Sequence, residues 1–305
     1  MKRSKSFVSF VLVFVLTVLN GCAPAATSVP PTSTLPPPPE PTATATEIVL
    51  PSPAPLPGVE VVPIETFGKN IPWLPMENTA RPGSEFFLFN LSKPPFTNAL
   101  VRQAFAAAID REALVRIALE TGATNPRAAT TLTPPETLGR DLFNAVGIPF
   151  HPSTARQLLS QAGFTDLSKF PPVTLMTLPG PGDRYVKIAE EMIRQWQIYL
   201  GVTVTLEVVT KGYWDRVQAD PTEIFWVAQA ADYNDPDDFL LEIFRTGAQL
   251  NNSHFSNVAF DELVDRAAAS SDPAERQELY IQAERILCEV EAALIPIYHV
   301  TYNIP

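Results

Sequence analysis

Residues Ile224-Phe225-Trp226-Val227-Ala228-Gln229-Ala230-Ala231-Asp232-Tyr233-Asn234-Asp235-Pro236-Asp237-Asp238-Phe239-Leu240 decide how this chain folds. Ile224 to Val227 is an unbroken apolar run and predicts a buried strand. Ala228, Ala230 and Ala231 are small, and Asp232 arrives where the strand should end. Asn234, Asp235 and Pro236 stop the pairing, because Pro236 donates no hydrogen bond and restricts its predecessor. Asp237 then predicts a helix start ahead of Phe239, Leu240 and Leu241. A carboxylate behind small side chains at the carboxyl end of a core strand is where open α/β sheets place ligand contacts.

Upstream, Val173 to Thr177 predicts a strand and Pro179-Gly180-Pro181-Gly182 a tight loop. Ile188, Ala189, Met192, Ile193, Trp196 and Leu200 fall at helical spacing, Gly201 closes that helix, and Val202 to Val209 returns as a parallel strand. The loop lacks the Lys-Ser/Thr of a P-loop and the glycine spacing of a dinucleotide fold, so it is a turn. Further back, Glu85 to Phe89 predicts a strand, and Asn98 caps a helical run from Ala99 to Leu119 that Asp110 reinforces or restarts. A long loop is expected from Gly122 to Phe150, with Ser153 capping a helix from Ala155 to Ala162 that Gly163 stops. Downstream, Asn257 leads to a helix with Phe260, Leu263 and Val264; Asp272-Pro273 starts a long helix through Cys288; Leu294 to His299 is a final buried strand. The class is α/β, a mixed sheet with flanking helices.

Ala231-Asp232-Tyr233-Asn234-Asp235-Pro236-Asp237-Asp238-Phe239-Leu240 resembles the signature of the oligopeptide- and dipeptide-binding proteins of ABC importers, solute-binding protein family 5. Pro94-Pro95-Phe96, Val101-Arg102-Gln103-Ala104, Ala108-Ile109-Asp110, Ala162-Gly163-Phe164, Phe255-Ser256-Asn257, Asp272-Pro273-Ala274-Glu275-Arg276 and Ile295-Pro296-Ile297-Tyr298-His299 are similar to further segments of that family, in family order. Gln229 departs from it, since many peptide binders carry an aromatic there. The resemblance implies the C-terminal lobe of a two-lobed periplasmic peptide-binding protein. It also implies that Asp232 holds the α-ammonium of a bound peptide, with Tyr233 and the main chain of Ala230 and Asn234 alongside. A peptide's amino terminus is its one obligatory cation, so a shielded carboxylate fixes register without reading side chains.

At the other end, Lys2, Arg3 and Lys5 precede the apolar run Phe7 to Leu19, shorter than the ~20 residues of a membrane-spanning helix and thus an export signal. Leu19-Asn20-Gly21-Cys22 resembles a bacterial lipobox, with Cys22 the lipidated residue. Residues 1–22 are therefore expected as a lipoprotein signal, 23–84 as a Pro/Thr-rich disordered linker, and 85–305 as the lobe. About 220 residues after the linker suffice for one domain with its own core.

A net charge of −11 argues against nucleic acid or anionic lipid as partners of the protein surface. With two cysteines, one in the lipobox, no internal disulfide is possible, and Cys288 reads as a small core residue. The acids after Asp232 fail the calcium-loop pattern, because Pro236, Asp237 and Ile243 occupy its later positions. His151, His254 and His299 are too scattered for a metal site, and nothing supports nucleophilic catalysis. No enzyme, metal or cofactor is expected. The expected function is a lipid-anchored, extracytoplasmic substrate-binding component of an ABC importer for peptides, in one-lobe form, with the permease and a separate polypeptide supplying the other lobe as partners. The alternative is a non-transporting interaction lipoprotein or a truncated gene fragment retaining one lobe.

Overall fold

The computed structural model describes residues 80–303; the expected export signal and lipobox with Cys22, and the proline-rich segment through residue 79, lie outside the described residues. In chain order the elements are β1 (Ala80–Phe89), α1 (Ala99–Ala107), α2 (Arg111–Glu120), β2 (Arg127–Ala128), α3 (Pro135–Leu138), α4 (Pro152–Gln161), β3 (Thr174–Thr177), α5 (Arg184–Tyr199), β4 (Thr205–Val208), α6 (Tyr213–Ala219), β5 (Ile224–Ala230), α7 (Asp237–Phe244), α8 (Val258–Ala269), α9 (Pro273–Arg285) and β6 (Leu294–Asn303). Among the described residues the strands form one mixed sheet in the order β2-β6-β1-β5-β3-β4. β3 is parallel to both β4 and β5, with α5 connecting β3 to β4, whereas β1 is antiparallel to β5 and β6.

The first strand starts five residues before the expected Glu85, so residues 80–84 are sheet and not linker. Composition could not show this, because the hydrogen bonds come from the far end of the chain: Ala80 to Gly83 pair with Asn303 to Val300. The run from Ala99 breaks in two. Asn98 Oδ1 accepts from the Leu100 amide at 3.0 Å, and Asp110 restarts the helix by accepting from the Ala113 amide at 3.3 Å.

The next cap moves from Ser153 to His151, whose Nδ1 accepts from the Thr154 amide at 3.3 Å. Pro152 fits the first helical position, which puts the cap on the residue before it. The expected loop 122–150 contains β2 and α3, since Arg127 and Ala128 add to the β6 edge.

The core is aromatic and continuous. Phe89, Phe96, Phe105 and Trp196 are fully buried and meet mostly at tilted or edge-on angles, with Phe96 and Phe105 centroids 5.0 Å apart at 89°. Arg102 looks from sequence like an exposed helix arginine but is 3% exposed: it donates to Phe96 O at 2.7 Å, Glu291 O at 2.8 Å and the Glu291 carboxylate at 3.0 Å. It ties α1 to the turn before β6. Cys288 lies in the core as expected, donating to Glu284, which in turn accepts the Leu132 and Thr133 amides at 2.9 and 2.7 Å. Burial pushes the pKa of both groups up, which keeps the thiol an inert donor.

Candidate binding site at the strand ends

Because β3, β4 and β5 are parallel, their carboxyl ends lie along one rim of the sheet. The antiparallel β1 brings its beginning to the same rim, with Gly83 opposite Ala230, and β6 brings its end there. The loop holding Gly180, the start of α6 and the turn carrying Asp232 thus meet at one edge. Gly180 is required there: its φ is +68°, and a Cβ would sit 2.3 Å from the Tyr185 ring.

Asp232 follows β5 directly, and both sides of its position are fixed by main-chain hydrogen bonds. The Ala231 amide donates to Pro82 O at 2.8 Å, and the Asp232 amide donates to Asp238 Oδ2 at 2.8 Å. The Asp232 carboxylate itself is 71% exposed and takes Nη1 of Arg81 at 3.1 Å, and that same guanidinium nitrogen donates to Ala231 O at 3.4 Å. Tyr233 is half-buried and donates to Glu242 at 3.3 Å, Asn234 is exposed, and Ala230 is held in the strand pair with Gly83. Asp235, by contrast, turns away to an ion pair with Arg276 of α9. The structure brings Asp232, Tyr233, Asn234 and Ala230 together on one rim; Cys22 lies outside the described residues.

Two buried acids flank this rim. Asp238 has no exposed surface, and its Oδ1 has no hydrogen-bond partner among the described residues. Burial, followed by the repulsion of Asp232 and its neighbours, raises its pKa to about 7. Glu85, on β1, is 2% exposed and accepts Nε1–H of Trp226 and O–H of Tyr302, each at 2.8 Å. Burial lifts its pKa to about 7 against the pull of those hydrogen bonds and of Arg184. The β1–β6 register slips beside it, where Glu85 pairs with Tyr298 but Phe86 with Pro296. Proline cannot donate, and the extra residue, Ile297, bulges to satisfy the Ala129 amide instead.

Above Glu85, Tyr185 stacks on Trp226 with centroids 4.1 Å apart, Tyr213 donates to Trp226 O at 2.7 Å, and Trp214 stands 47% exposed at the outer margin. The rim therefore offers an anionic end at Asp232, while Trp226 and Tyr185 are buried and only Trp214 of the aromatic group is exposed. It pairs no acid with a base across a cleft, and among the described residues no cluster of His, Cys, Asp and Glu is placed to hold a metal ion. Arg81, Glu85 and Asp238 are the site residues that reading the sequence missed.

Residues 47–251 match the family described as bacterial extracellular solute-binding proteins, family 5 Middle. The chain is 34% identical over 224 residues to the probable deoxycholate-binding periplasmic protein YgiS of Escherichia coli K12, covering 72% of this chain and 40% of that protein. It is 30% identical over 245 residues to the periplasmic oligopeptide-binding protein OppA of Salmonella typhimurium, covering 78% and 44%. Against the dipeptide-binding protein DppE of Bacillus subtilis the identity is 32% over 225 residues, covering 71% and 40%.

Among solved structures, the Escherichia coli murein tripeptide binding protein MppA superposes with a TM-score of 0.62 at 27% identity, covering 74% of this chain and 45% of that one. The dipeptide binding protein of Pseudoalteromonas sp. SM9913 in complex with Met-Leu gives 0.63 at 25% identity, covering 73% and 43%. The chain spans less than half the length of these relatives. The chain belongs to the family 5 bacterial extracellular solute-binding proteins.

Proposed function

We propose that this chain is the peptide-binding component of an ABC importer, anchored outside the cytoplasmic membrane through a lipid on Cys22 and contributing one lobe of a two-lobed receptor. The observation that carries the ligand reading is Asp232: an accessible carboxylate at the carboxyl end of β5, with its backbone pinned by Pro82 and Asp238. The peptide-binding names of OppA, DppE and MppA support peptides as the ligand class. The chain covers under half of those proteins, and the permease is the partner of the assembled two-lobed receptor. Alone, this lobe presents a half-site open to water, where polar contacts are weak.

A second reading rests on the exposed Trp214, packed against the buried Trp226, and on an Asp232 carboxylate already matched by Arg81. Those features favour an apolar ligand without an ammonium, and YgiS is named for deoxycholate. Chemical-shift titration of the full chain with tri-alanine, N-acetyl-tri-alanine and deoxycholate separates the two. Millimolar binding of the free tripeptide, lost on acetylation and in Asp232→Ala, supports the peptide reading. Equal binding of the free and acetylated forms refutes it, and saturation by deoxycholate alone supports the second.

A further inference from the structure

We infer that Arg81 sets which ligands this site accepts, acting as a resident cation that an incoming α-ammonium must displace from Asp232. This rests on Asp232 being the ammonium acceptor. The geometry behind it is specific. Arg81 Nη1 donates to two acceptors at once, Asp232 Oδ1 at 3.1 Å and Ala231 O at 3.4 Å. Those are the side chain and main chain that the end of β5 presents at the rim.

Neither partner is a loose surface group. Arg81 is held in β1 opposite Tyr302, one residue before the Pro82 carbonyl that binds the Ala231 amide, and Asp232 is pinned by Asp238. The Arg81 side chain is 25% exposed and the Asp232 side chain 71%, so a ligand can reach the carboxylate from the open side.

A primary ammonium arriving there meets a carboxylate whose charge is already balanced, with a guanidinium beside it. It must expel Arg81 or share the anion against like-charge repulsion. An acylated or otherwise uncharged ligand end bears no such penalty. Arg81 therefore discriminates against free amino termini. It is not interchangeable with glutamine, which offers a single amide and no charge.

The test compares the full wild-type chain with Arg81→Gln and Asp232→Ala, titrated with tri-alanine and N-acetyl-tri-alanine. Losing an exposed competing pair is expected to tighten tri-alanine binding about two- to fivefold in Arg81→Gln and to leave the acetylated peptide unchanged. Equal or weaker tri-alanine binding in Arg81→Gln, with Asp232→Ala still impaired, overturns the competitor role alone. Indifference of tri-alanine to Asp232→Ala overturns the ammonium reading and the competitor role with it. A measurement on the wild-type chain keeps the question open to refutation should Arg81→Gln fail to fold. The Arg81 Nε–H resonance should shift on saturation with tri-alanine and stay in place with the acetylated peptide, and an unmoved resonance in both refutes displacement.

Discussion

Replacing Glu85 with glutamine should stabilise the domain in alkaline solution and change little in acid. Glu85 is buried, and its pKa is lifted from 4.5 to about 7 chiefly by desolvation. Between these two values the unfolded chain has released the proton while the folded chain still holds it, so raising the pH favours unfolding. The slope is about 1.4 kcal/mol per pH unit, and over this window the loss amounts to about 3 kcal/mol, complete above pH 7 and absent below pH 4.5. The glutamine side chain removes the titration while keeping the contacts, since its carbonyl can accept from Trp226 and its amide can donate to a rotated Tyr302 hydroxyl.

His299 works in the opposite direction: burial lowers its pKa from 6.5 to about 4, so its contribution rises with pH across that interval. Taking the difference between wild type and variant removes this and the other shared groups. Urea denaturation at pH 4.5, 6 and 8 should show Glu85→Gln gaining about 3 kcal/mol relative to wild type from the lowest to the highest pH. A difference independent of pH would refute the buried, protonated carboxyl.

Arg102→Ala should cost about 3 kcal/mol in urea unfolding, because it strands the Glu291 carboxylate and two carbonyls, and Arg102→Lys should not restore them without the guanidinium fork. Asp238→Ala should speed hydrogen exchange of the Asp232 amide by about tenfold or more, whereas Asp238→Asn, which keeps the acceptor, should not. Cys22→Ala should release the full chain from the membrane fraction of an expressing bacterium; retention equal to wild type would remove the lipid anchor from the proposal.

Local chemistry made much of this protein legible from its residues in order. The Ile224 to Leu240 stretch declared a strand, a stop and a helix because burial, proline and helix start follow from neighbouring side chains. The caps at Asn98, Asp110 and Asp272 were readable for the same reason. So was the parallel β3-α5-β4 unit, whose strand and helix patterns lie within one segment. The position of Asp232 at a strand end followed as well.

Its partner did not. Arg81 stands in a proline- and glycine-containing stretch that composition assigns to a linker, and it reaches Asp232 from 151 residues away. Glu85 appears in sequence as the first polar residue of a strand; only the convergence of Trp226 and Tyr302 makes it a buried, proton-holding acid. Arg102 changed from surface to core for the same reason. Periodicity and capping are properties of nearest neighbours, and the sequence contains them outright. The electrostatic state of a side chain depends on what the fold places beside it and on how much water is left, and only the assembled sheet decides that.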